Sequence, residues 1–359
     1  MKNLSQKSGA GSVEFRGVTK RYGTVTAVDA VSFTIAPGEL VTLLGPSGCG
    51  KTTTLRLIAG LEIASEGRVL IGGEDVTTVA ASDRDVSMVF QSYALFPHMS
   101  VLENVAYGPI VQGMPKKEAR ELALSKLALV GLEGLEKRAP SELSGGQQQR
   151  VAVARALVLE PKVLLFDEPL SNLDAKLRRR VREDIRELQQ KLALTVAYVT
   201  HDQEEALAVS DRIIVMSNAR IAQSGTPREL YEEPASLFVA DFIGDANLLD
   251  AEVVEERGAL ALTRLKGLEI ELPRRGATLG PVKLAVRPDA VLLHRQRPER
   301  PSTAGRIAKA SYLGKHVEYT VECPLGDIFV VDRQDKRPLD PGTPVWVSFA
   351  DRDVTLVPP

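Results

Sequence analysis

Cysteine is nearly absent: Cys49 and Cys323 are the only two in 359 residues. They lie far apart in segments of different texture, and neither sits beside a histidine cluster. A disulfide framework and a cysteine-based metal site are therefore not expected. Long apolar runs are missing too. The longest, such as Val163–Phe166 and Ile213–Met216, have strand length, against the roughly 18 residues of a membrane-spanning helix. The opening residues, Met1–Ser12, are small and polar and lack the apolar core of a secretory signal. They read as a flexible tail (1–12), and the chain is expected to be cytosolic, with any membrane role carried by partners. Charge of one sign is also missing: 45 basic residues balance 47 acidic ones, for a net charge of −2. No basic field favours nucleic acid as a partner.

What is present is an ordinary globular composition, 44% hydrophobic and 26% charged, on a chain long enough for about two domains. From Val13 to Gly244 the pattern alternates short strands with helices. Strands are expected at Val13–Val18, Ala30–Ile35, Leu40–Leu44, Val69–Ile71, Val86–Phe90, Val163–Phe166, Thr195–Thr200 and Arg212–Met216. Helices are expected at Lys51–Ala59, Lys116–Val130, Gly145–Leu159, Ala175–Leu192 and Gln203–Val209. Short buried strands separated by helices imply a mainly parallel sheet covered on both faces. In the Ala175–Leu192 segment, Leu177, Val181, Ile185, Leu188 and Leu192 form one apolar face. The arginines around them, Arg178, Arg179, Arg180, Arg182 and Arg186, read as a solvated face paired at i,i+4 with Glu183, Asp184 and Glu187 rather than as a nucleic-acid stripe. After Gly244 helical periodicity gives way to short alternating strands punctuated by Pro and Gly, as at Val282–Val286, Val317–Val321, Ile328–Val331 and Val345–Phe349. That texture predicts a small all-β domain over 245–359.

The strongest chemical signal is Gly45-Pro46-Ser47-Gly48-Cys49-Gly50-Lys51-Thr52, followed by Thr53. It lies between a predicted strand and a predicted helix, where a nucleotide phosphate loop must lie. Glycines at 45, 48 and 50 let successive backbone N–H groups face an anion, and the helix start adds positive potential. Lys51 can reach terminal phosphates and the Thr52 hydroxyl can ligate Mg²⁺. Val163-Leu164-Leu165-Phe166-Asp167-Glu168 is an apolar strand that ends in two carboxylates. Asp167 suits a Mg²⁺ shell and Glu168 a general base. These two signals leave kinases, GTPases, helicases and motor ATPases open.

The segment Leu143-Ser144-Gly145-Gly146-Gln147 narrows the choice, because it resembles the signature of the ABC ATPase family. Ser144 can cap a helix beginning at Gly145, and two glycines at its positive end make a second anion-directed helix terminus. The resemblance covers residues 13–244 and implies an α/β P-loop NTPase cassette, with a helical subdomain at about 91–160. It further implies that Tyr22 stacks on adenine, that Gln91 contacts Mg²⁺ or water, that Asp174 in Ser171–Asp174 links sites across a dimer, and that His201 contacts the γ-phosphate beside Glu168. Each Mg²⁺-ATP would be held between the phosphate loop of one copy and Leu143–Gln147 of a second. The groove after Gln91, Ser92–His98, with its exposed-looking Tyr93 and Phe96, would receive a permease helix or be a packed loop.

The tail is similar to the TOBE domains that follow the cassette in bacterial importers, on Arg287-Pro288-Asp289 and Ser311-Tyr312-Leu313-Gly314. An OB/TOBE-like β domain serving regulation or dimerisation is implied. The expected function is the homodimeric ATPase subunit of an importer, peripheral on the cytoplasmic face of the cell membrane, working with integral membrane permease subunits and, indirectly, a periplasmic solute-binding protein. Asp241–Asn247 favours ferric iron as solute, with polyamine or phosphonate as alternatives. Two other readings are a non-transport ABC protein and a ligand-sensing tail that uses the ATPase as its output. A single cassette without heptads speaks against the first, and ligand binding by 245–359 would support the second.

Overall fold

The structure is a computed structural model and describes residues 10–334 and 337–357. Residues 1–9 of the expected N-terminal tail lie outside the described residues. The chain divides into two compact units, Met1–Pro227 and Arg228–Pro359.

The first unit contains strands β1 (Val13–Tyr22), β2 (Val25–Ile35), β3 (Leu40–Leu44), β4 (Glu66–Ile71), β5 (Glu74–Asp75), β6 (Val86–Val89), β7 (Val163–Asp167), β8 (Thr195–Val199), β9 (Arg212–Ser217) and β10 (Arg220–Gly225). Its α-helices are α1 (Lys51–Ala59), α2 (Val101–Val111), α3 (Lys116–Leu129), α4 (Gly145–Leu157), α5 (Ala175–Leu192) and α6 (Gln203–Val209). β2-β1-β4-β5 form an antiparallel sheet. The other sheet runs β10-β9-β3-β8-β7-β6 and is parallel except for β10. Every residue of β3 is buried, as a strand covered on both faces requires. Val41 and Leu43 face a core that includes Leu55 and Ile58 of α1, while Leu40 packs with Phe166 and Tyr198 in a second core.

In the first unit α2, β5 and β10 escaped the pattern reading. The helix α2 carries Gly108 and Pro109 within it, which masked its periodicity. Its start is nonetheless a capping box: Ser100 N donates to Glu103 (2.8 Å) and Glu103 N to Ser100 Oγ (3.3 Å). α2, α3 and α4 surround a core of their own containing Val105, Ala119, Leu127 and Val151. β10 escaped because only one of its residues is buried. The arginines of α5 also differ from expectation. Arg179–Glu183 (3.2 Å) is the i,i+4 pair foreseen. Arg178, however, reaches Asp202 (3.1 Å), Arg186 reaches Asp211, and Asp184 is taken by Arg150. The helix is fastened to its neighbours through the face that read as solvated.

In the second unit two short helices, α7 (Pro227–Glu232) and α8 (Leu237–Phe242), precede β11 (Asn247–Arg257), β12 (Leu260–Leu265), β13 (Leu268–Pro273), β14 (Gly280–Val286), β15 (Val291–His294), β16 (Thr303–Tyr312), β17 (Val317–Cys323), β18 (Gly326–Asp332), β19 (Pro344–Phe349) and β20 (Val354–Val357). They form two antiparallel five-stranded sheets, β13-β12-β11-β14-β20 and β15-β19-β16-β17-β18, around one core. The unit begins ahead of the change in sequence texture at Gly244 because the helices are tied into it. Arg287 is 3% exposed, and its guanidinium donates to the carbonyls of Tyr231, Ala240 (2.7 Å) and Ile243. It also stacks 4.2 Å from the Tyr231 ring centroid.

Candidate nucleotide site

Strand order assembles the site. In the sequence β3, β8, β7, β6 along the sheet, the carboxyl ends lead respectively into Gly45–Lys51, Thr200–His201, Asp167–Glu168 and Gln91. Ligands of open α/β sheets bind at this edge.

The loop after β3 uses its glycines in two ways. A Cβ on Gly45 (φ +155°) would lie 2.3 Å from the Met216 carbonyl oxygen and 2.7 Å from Cys49 Sγ. One on Gly50 (φ +107°) would lie 2.4 Å from the Ala27 carbonyl oxygen. At Gly48 (φ +78°) the space is open, and only the backbone conformation asks for glycine. Gly50 caps α1 without a side-chain hydrogen bond, and the first turn holds no acid. Its leading N–H groups and dipole are thus suited to an external anion. Lys51 is 6% exposed, and its Nζ donates to the carbonyls of Gly45 (2.7 Å) and Pro46 (2.9 Å). Pro46 and Ser47 are exposed, Cys49 is buried, and Thr52 and Thr53 are half-buried. Tyr22, 45% exposed, carries Lys20 Nζ 4.8 Å from its ring centroid. Burial pushes its hydroxyl pKa up, aided by a hydrogen bond to Glu62 and opposed by Lys20 and a hydrogen bond to Thr53. Through Thr53 the aromatic is joined to α1.

At the end of β7, burial raises the Asp167 carboxyl pKa; Arg56 opposes this and the Glu168 charge adds to it. Glu168 has φ +46°, a left-handed conformation that costs a non-glycine residue about 1–2 kcal/mol. Neighbouring bonds hold it there: its N–H donates to Val199 O (3.0 Å), and Ser171 Oγ donates to its carbonyl (3.0 Å). The result aims Glu168 Oε2 at His201 Nδ1, 3.0 Å away. Glu168, Ser171, Arg178 and His201 line a cleft of about 30 Å³, room for a water molecule. Gln91 is exposed, and its carbonyl accepts from Asn172 Nδ2 (3.0 Å). Asp174 caps α5 by accepting from Leu177 N (3.0 Å).

Leu143, Ser144, Gly145, Gly146 and Gln147 belong to another element, the start of α4. Ser144 and Gln147 satisfy each other as a capping box, with 2.9 Å from Ser144 N to Gln147 Oε1. Both glycines lie close against leucine side chains. A Cβ at Gly145 would lie 2.9 Å from Leu173, and one at Gly146 would lie 2.8 Å from Leu177. The expected aromatic groove is partly closed: Tyr93 is buried, while Phe96 packs on the exposed Tyr107 with centroids 4.7 Å apart. The sequence reading overlooked Asp202 and Arg178, which meet beside His201. The signal for Asp202 was available, since an acid directly before a helical run is an N-cap pattern.

Thr52, Asp167 and Gln91 offer hydroxyl, carboxylate and amide oxygens, the hard donors that Mg²⁺ takes. Among the described residues no cluster of three or more His, Cys, Asp or Glu could cage a metal ion.

A glycine loop cupping a buried lysine, beside a strand end bearing paired carboxylates, defines a P-loop nucleotide site. Comparison with known proteins agrees. An ABC transporter family pattern matches residues 28–171, and a TOBE domain pattern matches 284–357. A Fe(3+) ions import ATP-binding protein of Rhizobium etli is 60% identical over 97% of this chain and 98% of its own. Among solved structures, cbiO1 of Clostridium perfringens, part of the ABC transporter complex cbiONQ, is 29% identical with TM-score 0.58 over 62% of this chain and 90% of its own. A dimeric post-hydrolysis ATP-binding cassette bound to ADP and Pi is 33% identical with TM-score 0.53 over 60% of this chain and 99% of its own. The chain belongs to the ABC transporter family of ATPases, as a cassette followed by a TOBE domain.

Proposed function

We propose that this ATPase hydrolyses Mg²⁺-ATP to drive import of Fe(3+) through separate permease subunits supplied by a periplasmic binding protein. The observation that carries the hydrolytic reading is the Glu168 carboxylate, held against His201 by a left-handed backbone on the sheet edge that also bears the Lys51 loop. The solute is inferred from the Rhizobium relative's name. Tyr22 stacks on adenine. The amides from Gly45 to Thr53 and the Lys51 ammonium bind the phosphates. Thr52, Asp167 and Gln91 hold Mg²⁺, which supplies neutralisation of phosphate charge. Glu168 takes a proton from the attacking water, and His201 steadies that water and the γ-phosphate. Leu143–Gln147 of a second copy closes over the same nucleotide, with Asp174 at the junction. Loss of the phosphate after hydrolysis removes that bridge, so the nucleotide biases the dimer by its differential affinity for the closed form. The dimeric relative bound to ADP and Pi supports this pairing.

Residues 13–244 form the ATPase domain in this reading, with 91–160 as its helical part, and 245–359 serve dimerisation or regulation. The chain sits peripherally on the cytoplasmic face; among the described residues no helix is long and apolar enough to cross a membrane. The test is uptake into proteoliposomes holding the permease, this subunit and the binding protein. ATP-dependent accumulation of Fe(3+), lost with Glu168→Gln, is expected. Accumulation of a polyamine or phosphonate in place of Fe(3+) would overturn the solute assignment.

A further inference from the structure

The His201 ring is exposed, with a side chain 60% accessible, and its polar partner is Glu168. Its position therefore depends on the backbone turn that carries it. That turn is fixed by the next residue. Asp202 N donates to Thr200 Oγ1 (3.0 Å), and Asp202 Oδ1 accepts from Glu205 N (3.0 Å), capping α6. From below, the Glu205 carboxylate accepts from Tyr198 and from Thr200 Oγ1 (2.7 Å). The remaining Asp202 oxygen, Oδ2, accepts from Arg178 Nη1 at 3.1 Å.

Arg178 uses a second nitrogen elsewhere: Nη2 donates to the carbonyl of Leu173 (3.2 Å), inside the Ser171–Asp174 loop. Its Nε is buried and without a partner among the described residues. The far side of the same loop holds Gln91, through Asn172 Nδ2 and the Gln91 carbonyl (3.0 Å). One short loop is thus fastened to Gln91, two residues after β6, and, through a forked guanidinium, to the turn after β8. Arginine's planar fork can hold two acceptors at fixed geometry in a way lysine cannot.

We propose that the Arg178–Asp202 pair is a positioning strut: it sets His201 against Glu168 and transmits displacement of the Ser171–Asp174 loop to that pair. The inference rests on the ATPase reading above. Both side chains line the small cleft beside Glu168 and His201, but their hydrogen bonds run to each other, to Leu173 and to the α6 cap. With side chains about a third exposed, such a pair contributes little to stability, so its value lies in geometry. Misplacing a catalytic group by an ångström can cost about 100-fold in rate.

The test uses the full chain with Arg178→Met, Asp202→Asn, both together, and Arg178→Lys. Asn retains the helix cap while removing the charge. ATPase kcat, KM, nucleotide affinity and thermal midpoint are read for each. Each single variant is expected to lose about 10- to 100-fold in kcat, with KM and affinity changed less than about twofold, as for an interaction made at the chemical step. The double variant should be no slower than the worse single one, because both remove one strut, and Arg178→Lys should fall between wild type and Arg178→Met. Wild-type kcat in the folded single variants, or losses that multiply in the double, would overturn the strut. Glu168→Gln in the same assay separates the two readings. Full turnover there refutes the base role of Glu168 on which the strut's effect depends, whereas loss there with wild-type kcat in Arg178→Met refutes only the strut.

Discussion

Gly45 and Gly48 both have left-handed backbones, yet the structure assigns them different demands. Alanine at Gly48 meets nothing within 4 Å, so it costs only the backbone term, about 1–2 kcal/mol. Alanine at Gly45 bears the same kind of term and also places a methyl 2.3 Å from Met216 O and 2.7 Å from Cys49 Sγ. One obstacle is backbone of β9, held in the sheet between β10 and β3, which cannot rotate away. Overpacking of this sort costs about 1–3 kcal/mol more. Gly45→Ala is therefore expected to destabilise the cassette by about 2–5 kcal/mol and Gly48→Ala by about 1–2 kcal/mol. Urea denaturation without nucleotide, followed by helical circular dichroism, reads this, because α1–α6 lie in the first unit. Equal losses in the two variants, or a wild-type midpoint for Gly45→Ala, would refute the packing argument.

Glu168→Gln keeps an oxygen that can face His201 Nδ1 but cannot take a proton, so steady-state phosphate release should fall about 10²–10⁴-fold; turnover within threefold of wild type would count against it. Lys51→Ala removes the buried ammonium of the loop and should weaken ATP binding, read by equilibrium titration. Asp167 titrates above its ordinary range chiefly because it is buried. The folded state then binds that proton more tightly than the unfolded one, so the group's stabilising contribution is present at acid pH and is lost as pH rises through the folded value. Without nucleotide, Asp167→Asn should raise the thermal midpoint at neutral pH, and the gain should shrink on acidification; a pH-independent difference would show the shift is absent. Arg287→Met leaves the carbonyls of Tyr231, Ala240 and Ile243 unpaired and should cost about 3 kcal/mol or more, seen as rapid hydrogen exchange across α7 and α8.

Most of the site was legible in the sequence because its signals are local. The loop from Gly45, the acids ending β7 and the capped start at Ser144 each combine residue type, spacing and a flanking element. Strand order was not local, and it brings Gln91, His201, Glu168 and Lys51 along one edge. The closeness of Gly145 and Gly146 to the Leu173 and Leu177 side chains depends on packing between distant segments. Arg178 was misjudged for a related reason. On the helix it sits among acids at i,i+4 spacing, and only the fold shows Asp202 beside it. In the second unit, β11–β13 were hidden by their charge: Glu255, Arg257, Glu269 and Arg264 alternate on an exposed face and pair along and across strands, as Arg264 does with Glu269 at 2.8 Å.

The central claim is that one nucleotide is held by the phosphate loop of one copy and the Ser144 turn of another. The two native cysteines can be replaced by serine, and single cysteines introduced at Ser47 in one batch and Ser144 in another, both carrying Glu168→Gln. Mixed with Mg²⁺-ATP and a short bifunctional thiol reagent, the two batches should give a crosslinked dimer that needs both cysteines and disappears with ADP. Failure to crosslink in saturating Mg²⁺-ATP, in protein that still binds the nucleotide, would contradict the account.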